Sequence, residues 1–308
     1  MAYKLKKLFW ELPSADEGTD LSVEKYLEVI EDLYDLKCEY VFLTGDNILD
    51  RKDIGIITSA LHTALIKFSI ICQFANITVQ TIQLLRLLHP DKVILKINDI
   101  SDKENLEKSL EILKKYKFDV MALTKLDTSN FKNLEEIRAF LVENKINKWQ
   151  INYVNCNEKN IITEEQFEFF SKFFIETKEK YEAYFDEVIS IPRVAYMDKI
   201  SEKIYKEKWY GCPAGITIAT ISKKGNIKGC FDFDDDIYSE GNICNSSFKE
   251  IWLSKDKFTY NRRFDINSID NACKKCLYVT VCKGGCIANS FCAPKRATKH
   301  CLCRLEQN

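Results

Sequence analysis

Cys273-Lys-Lys-Cys276-Leu-Tyr-Val-Thr-Val-Cys282-Lys-Gly-Gly-Cys286 is the stretch on which the reading of this chain turns. Two cysteines separated by two residues aim both sulfurs at one point through a tight turn, so one metal centre can take both. Thiolates are the natural ligands of zinc and of iron–sulfur clusters. Gly284 and Gly285 let the backbone approach a bulky inorganic core, and amides placed there can donate to sulfide.

Working outward, the 308 residues carry 13 cysteines, and their placement is uneven. Cys38, Cys72 and Cys156 are the ones before residue 212; Cys212, Cys230, Cys244, Cys273, Cys276, Cys282, Cys286, Cys292, Cys301 and Cys303 follow it. Composition thus changes near Tyr210–Cys212. In a cytosolic protein such a cluster ligates metal more often than it forms disulfides. Upstream of the decisive stretch, Cys212-Pro-Ala-Gly215 leads into a strand, Ile216–Ile221. Lys223-Lys-Gly-Asn226 reads as a hairpin turn and Ile227–Cys230 as the return strand, which brings Cys212 and Cys230 near each other.

The first 160 residues alternate between strand-like and helix-like segments. Lys4–Leu12, Glu39–Leu43, Lys67–Ile77, Lys92–Ile97, Asp119–Thr124 and Trp149–Val154 read as strands. Leu21–Leu36, Asp53–Leu65, Val79–Leu88, Lys103–Lys115 and Asn133–Glu143 read as helices, the first capped by Asp20 or Ser22. Continuous apolar runs such as Val93-Ile-Leu-Lys-Ile97 predict an α/β fold with a parallel sheet covered by helices, as a barrel, a partial barrel or an open sheet. A further aromatic-rich helix, Glu164–Phe185, is expected to seal an open edge with its rings in the core.

Composition sets the outer bounds. With 45 Lys+Arg against 46 Asp+Glu, a net charge of −1 gives no basic excess for nucleic acid. An apolar share of 46% supports a folded core. The start of the chain lacks the apolar h-region and small-residue cleavage site of a signal peptide, and no stretch reads as a membrane span, so a cytoplasmic protein is expected. His62, His89 and His300 form no metal pair. No Walker loop, dinucleotide fingerprint or Ser-His-Asp pattern is present. Asp232-Phe-Asp-Asp-Asp236 reads as a solvated acidic loop or as a contact for a basic peptide or partner. Lys295-Arg296 with Lys299-His300 forms a small basic patch.

The whole arrangement resembles the SPASM domain, which follows the radical SAM core in many peptide-modifying enzymes. The resemblance rests on Cys212, twelve residues, Gly225, four residues, Cys230, a gap, Cys273-x2-Cys276-x5-Cys282-x3-Cys286, a gap and a final cysteine. Glu240-Gly-Asn-Ile243 and Ser247-Phe-Lys-Glu-Ile-Trp252 fit the same family. The resemblance implies two auxiliary [4Fe–4S] clusters. Cys212, Cys230 and Cys286 would hold the first, with Cys244 available for its fourth position. Cys273, Cys276, Cys282 and either Cys303 or Cys301 would hold the second, with Cys303 favoured. Zinc on the same thiolates is the alternative.

The N-terminal half resembles the radical SAM core, a partial (β/α)6 TIM-like barrel. Leu8–Leu12 is similar to its first strand, and Glu39–Gly45 to its second, which in the family ends in Gly-Gly-Glu-Pro. Here the second strand runs on as Thr44-Gly-Asp-Asn47. The family's CxxxCxxC motif should follow the first strand; this chain has Pro13-Ser-Ala-Asp-Glu-Gly-Thr-Asp20 and no cysteine before Cys38. Cys38 and Cys72 read as buried structural thiols and do not substitute; Cys156 is read the same way.

The expected organisation is therefore a degenerate radical-SAM-like barrel over 1–190, a linker over 191–211 and a Cys-rich SPASM domain with a β-hairpin and iron–sulfur clusters over 212–308. The expected role is that of a pseudo-radical-SAM protein with no SAM cofactor. It would partner an active radical SAM maturase or a precursor peptide, and neither nucleic acid nor a membrane. The rivals are an enzyme acting through an open iron of an auxiliary cluster, and a zinc-bound interaction module.

Overall fold

The structure, a computed structural model, describes residues 3–14, 21–153, 163–181, 184–185, 187–191, 211–233, 235–269 and 271–290. Cys156, Cys292, Cys301 and Cys303 lie outside the described residues, as does most of the 191–211 stretch. In chain order the elements begin β1 (Lys7–Glu11), α1 (Val23–Asp35), β2 (Tyr40–Thr44), α2 (Ile54–Thr63), β3 (Lys67–Gln73), α3 (Val79–Leu88) and β4 (Lys92–Lys96). They continue with α4 (Lys103–Lys115), β5 (Val120–Leu126), α5 (Leu134–Glu143), β6 (Lys148–Tyr153), α6 (Glu164–Lys180) and β7 (Glu187–Ile191). Then come β8 (Ile218–Ile221), β9 (Asn226–Lys228), β10 (Gly241–Asn242) and a short helix, α7 (Phe248–Leu253). The six strands and five intervening helices expected from periodicity are all present.

The chain forms two compact units. One comprises Met1–Lys96, Asp102–Met121 and Pro213–Arg262; the other comprises Ile97–Ser101, Ala122–Cys212 and Arg263–Asn308.

In the first unit the strand order is β10-β9-β8-β1-β2-β3-β4. β1, β2, β3 and β4 pair in parallel, as helical crossovers require. Side chains alternate across the sheet. Leu8 and Trp10 are fully buried, and Trp10 meets Tyr26 of α1 edge-on at 5.7 Å. Val29, Ile30 and Leu33 complete the buried stripe of α1, spaced for one helical face. Each such side chain contributes roughly 1.5–3 kcal/mol by leaving water. Ser22, rather than Asp20, caps α1, its hydroxyl accepting from the Lys25 N–H at 3.4 Å. The opposite face carries Phe9 and Phe42, stacked at 4.7 Å.

The hairpin expected at 216–230 forms, with Thr220 opposite Lys228 and Ile221 opposite Ile227. Its first strand also pairs in parallel with β1: Lys7 with Ile218, Leu8 with Ala219, Phe9 with Thr220 and Trp10 with Ile221. The following α7 carries a capping box between Ser247 and Glu250 and buries Phe248, Ile251 and Trp252. It docks on α1, where the Lys249 N–H donates to Asp32 at 3.0 Å.

The second unit holds β5, β6 and β7 in that order, all parallel. The Trp149 indole N–H donates to Thr124 Oγ1 at 2.9 Å, and the Thr124 hydroxyl donates to the Ile97 carbonyl at 2.7 Å. Buried polar groups here are thus paired, as a dry interior demands. Phe170 and Phe174 of α6 are fully buried, so the rings of that helix serve the core. Two expectations are corrected. The helix stops at Lys180 rather than Phe185, and the strand beside β6 is β7, which periodicity at Glu187-Val-Ile-Ser-Ile191 did not bring out.

Candidate iron–sulfur site

The decisive stretch lies in the second unit. Two short helical turns, Asn271–Lys274 and Val279–Cys282, flank a reversal at Cys276. The Cys276 N–H donates to the Cys273 carbonyl at 3.1 Å, which closes the turn between the two thiols. The Tyr278 N–H then points at Cys276 Sγ, 3.4 Å away. An amide donating to sulfur tunes any metal bound to it.

After Cys282 the backbone turns left-handed three times in succession, at Lys283 (φ 52°), Gly284 (φ 87°) and Gly285 (φ 92°). Glycine is the residue that takes such angles without strain, and the Gly285 N–H donates to the Cys282 carbonyl at 2.9 Å. The glycines expected from the Cys-x3-Cys spacing thus re-aim the chain between Cys282 and Cys286. Gly211 packs on the same turn: a Cβ there would lie 2.8 Å from the Val281 carbonyl oxygen. Cys212 therefore leaves the backbone beside the Val281–Cys282 turn. Cys286 is buried, while Cys212, Cys273, Cys276 and Cys282 are half-buried.

Cys230 belongs to the first unit. It opens a tight turn in which the Phe233 N–H donates to the Cys230 carbonyl at 3.2 Å. Gly229 is held against Ala214 and Gly215; a Cβ would meet Tyr260 Oη at 2.0 Å and the Gly215 nitrogen at 2.9 Å. The turn is pinned from below by Lys228. Lys228 is buried (5% exposed), and its ammonium donates to the Phe233 carbonyl at 2.6 Å and the Phe231 carbonyl at 3.5 Å. Asp232 turns its carboxylate toward the same cysteine, with Oδ2 4.0 Å from Cys230 Sγ. Sequence reasoning assigned Asp232 to an acidic loop and passed over Lys228. The signal was the Lys-x-Cys-x-Asp spacing, which places three functional side chains around one turn.

Cys244 stands apart from Cys230 in its surroundings. It is exposed, its N–H donates to Asn242 Oδ1 at 2.9 Å, and it lies near Lys25 of α1. The Lys25 ammonium is held above its ordinary pKa, first by Glu28 and in smaller part by Cys244.

At the end of β1 the chain is clamped. The Leu12 N–H donates to the Thr44 carbonyl at 2.7 Å. Buried Arg51 donates to the Pro13 carbonyl and forms a paired contact with Asp53 at 2.9 and 2.6 Å. Its guanidinium lies 5.4 Å from the centre of the Tyr26 ring. Cys38 and Cys72 are buried, as expected, and their thiols are pushed up to about 11 and about 12 by desolvation. The His62 Nε2–H donates to the Leu88 carbonyl, 2.9 Å away, and serves the packing of α2.

None of the nine described cysteines is in a disulfide. Among the described residues no three His, Cys, Asp or Glu side chains converge on one point as a site for a single metal ion.

Residues 212–277 match SPASM, an iron–sulfur cluster-binding domain. The chain is 23% identical over 194 residues to a cysteine-type anaerobic sulfatase-maturating enzyme of Clostridium perfringens (strain 13 / Type A), a match covering 59% of this chain. The match spans half (50%) of that curated relative's length. Among solved structures, Streptococcus suis SuiB bound to precursor peptide SuiA aligns over 98% of this chain and 76% of its own, with TM-score 0.71 and 15% identity. Native anSMEcpe with bound AdoMet and Cp18Cys peptide aligns over 96% and 94%, with TM-score 0.65 and 14% identity. The fold is therefore the α/β, TIM-like fold of radical SAM/SPASM proteins. The SPASM donor set fits iron–sulfur chemistry: thiols outside any disulfide, an amide aimed at Cys276 sulfur, and a left-handed run between Cys282 and Cys286.

Proposed function

We propose that this chain is a pseudo-radical-SAM protein that carries two auxiliary [4Fe–4S] clusters and does not cleave SAM. The observation that carries the reading is the end of β1. Reductive cleavage of SAM needs three thiolates there, to hold a cluster with one iron left open. From Leu12 to Lys37 the chain has no cysteine, and the strand end is tied down by Thr44 and Arg51 instead. The donor set in this half does not fit a SAM-cleaving cluster.

The working division is a degenerate barrel over 1–190, a linker over 191–211 and the SPASM domain over 212–308. By sequence pattern, Cys212, Cys230 and Cys286 hold the first cluster, and the sequence offers Cys244 for its fourth position. Cys273, Cys276, Cys282 and Cys303 or Cys301 hold the second. Clusters bound there supply folding energy to a small domain and a place to park an electron. The chain's own residues supply the thiolates, the Tyr278 amide and the buried Lys228 charge.

The role we assign is that of a cytoplasmic, non-catalytic subunit. It binds a precursor peptide, an active radical SAM maturase, or both, during modification of a ribosomally made peptide. The SuiB complex with SuiA supports a peptide as the occupant.

The test is the iron, acid-labile sulfide and zinc content per chain after anaerobic purification and reconstitution, with 5′-deoxyadenosine measured after dithionite and SAM. About eight irons and eight sulfides, with no 5′-deoxyadenosine, are expected. About twelve irons, or 5′-deoxyadenosine above the blank, would sink the pseudoenzyme reading. Zinc in place of iron would replace it with the interaction module. For the partner, the loaded chain should retain a radical SAM maturase or its precursor peptide on a column; retention of neither removes the subunit role.

A further inference from the structure

We infer that the end of the first unit at which β1–β4 begin is a docking surface for an acidic segment of a partner polypeptide, one with leucines or similar side chains between its carboxylates. The inference deepens the subunit role above and rests on that role for the partner.

Parallel pairing puts the starts of β1–β4 at one end of the sheet, together with the ends of α1–α3 that lead into them. The end of α4 arrives there too, since the Val93 N–H donates to the Asp119 carbonyl at 2.9 Å. Each of these four helices gives way to a left-handed residue that is not glycine: Lys37 (φ 55°), Leu65 (φ 57°), His89 (φ 50°) and Lys117 (φ 58°). Glycine takes that conformation most readily at a helix end. Four exposed side chains are kept there instead, and such departures gather at sites of function. The helix dipole accounts for a cation at a helix end. It does not account for Leu65, 88% exposed, or for Leu87 on the last turn of α3, 77% exposed.

Charge at this end is unbalanced. Lys4 is paired with Glu39 at 2.5 Å. Lys6, Lys7, Lys37, Lys67, Arg86 and Lys117 are exposed and form no ion pair among the described residues. The whole chain is balanced at 45 Lys+Arg against 46 Asp+Glu, so the excess is local. A cation without a partner gives none up when a carboxylate arrives.

Two cavities open at this end and meet at His89 and Asp91. One, of about 280 Å³, takes in Leu65 and Lys67. The other, of about 780 Å³, takes in Arg86, Leu87, Tyr116 and Lys117. The Arg86 guanidinium lies 5.4 Å from the centre of the Tyr116 ring. Held against a ring, its planar fork is ready to grip a carboxylate with two N–H donors. Leu65 and Leu87 add apolar anchors. Nucleic acid fits less well. Asp91, which accepts from the Tyr40 hydroxyl at 2.7 Å, and Asp119 line the same furrow. A phosphate chain is charged at every step and meets both; a polypeptide can space its carboxylates to miss them.

The experiment uses the full chain and fluorescence anisotropy. The probe is a labelled synthetic peptide of glutamate pairs alternating with single leucines. Its companions are the same peptide with glutamine for glutamate, and single-stranded oligo-dT. The glutamate peptide should bind the parent and should weaken as sodium chloride rises. The Arg86→Glu, Lys117→Glu double variant should bind it about tenfold more weakly. Leu65→Ser with Leu87→Ser should weaken it several-fold. Lys52→Glu with Lys103→Glu makes the same charge change at the starts of α2 and α4 and should leave binding within about twofold. All six positions are exposed, so urea midpoints should match the parent's. No binding by the parent, equal binding of the glutamine peptide, equal weakening in both charge-reversed variants, or tighter binding of oligo-dT would each overturn the inference. On the column of the preceding test, a maturase or precursor held equally by the parent and by Arg86→Glu, Lys117→Glu would overturn the docking surface and leave the subunit role standing. Retention of neither by the parent would remove the subunit role, and this inference with it.

Discussion

Cys72 and Cys276 are the same side chain put to opposite uses. Cys72 sits near the end of β3, fully buried, and its thiol is pushed up to about 12 by desolvation. Cys38 behaves alike at the entry to β2, its thiol donating weakly to the Lys6 and Tyr40 carbonyls at 3.8 and 3.5 Å. These groups act as small apolar residues. Cys276 is half-buried, in a turn, with an amide directed at its sulfur. Burial without a donor silences a thiol; partial exposure beside backbone donors prepares it for a metal. The difference lies in the backbone around the sulfur, and it can be broken experimentally from either side.

The largest effect is expected at the reactive end. Replacing Cys273 and Cys276 together by serine should remove one cluster, about four irons and four sulfides per chain, while the other cluster persists. Iron and sulfide assays check this, and full retention of iron would end the assignment of that pair. Next comes Gly229→Ala. The added methyl has no room between Tyr260 and the Gly215 nitrogen, so a loss of about 1–3 kcal/mol is expected in urea unfolding, with poorer iron loading at Cys230. At the silent end, Cys72→Ser places a hydroxyl in a fully buried strand. It should cost about 1–3 kcal/mol in the same assay and leave iron content unchanged.

The smallest effect is one of pH. A thiol kept neutral in the fold while the unfolded chain ionises from its ordinary 9.0 makes stability whole below pH 9. That share is lost as pH rises through 9 toward about 11 for Cys38 and about 12 for Cys72. The urea midpoint should therefore fall between pH 8.5 and 10.5 less in a Cys38→Ala, Cys72→Ala variant than in the parent. Equal slopes would remove the two thiols from the account.

Much of this molecule was legible in its sequence, for physical reasons that differ by region. The β1–β6 strands declared themselves because each is a short apolar run between capped helices. A cap at Asp20 or Ser22 followed from the apolar stripe behind them, and the fold uses Ser22. The SPASM match over 212–277 was legible by the spacing of its cysteines. What escaped was nonlocal or compressed. β7 follows the aromatic helix with no Gly or Pro between Lys180 and Glu187 to set it off. The pairing of β8 with β1 joins residues far apart in sequence, which no local pattern encodes. Asp232 was hidden in a run of aspartates that reads as a solvated loop. Only the turn at Cys230, held by Lys228, singles it out from its neighbours.

The pairing of β8 with β1 has a consequence for synthesis. β1 is bordered on one side by β2, made soon after it, and on the other by a strand that follows roughly 210 residues later. At roughly 5–20 residues per second, a ribosome needs on the order of 10–40 s to deliver that partner. During that interval Lys7–Glu11 offers a row of unpaired backbone groups on a nascent chain. The Lys residues at positions 4, 6 and 7, around the start of that strand, are the kind of charge that keeps such an edge from pairing with another chain while it waits.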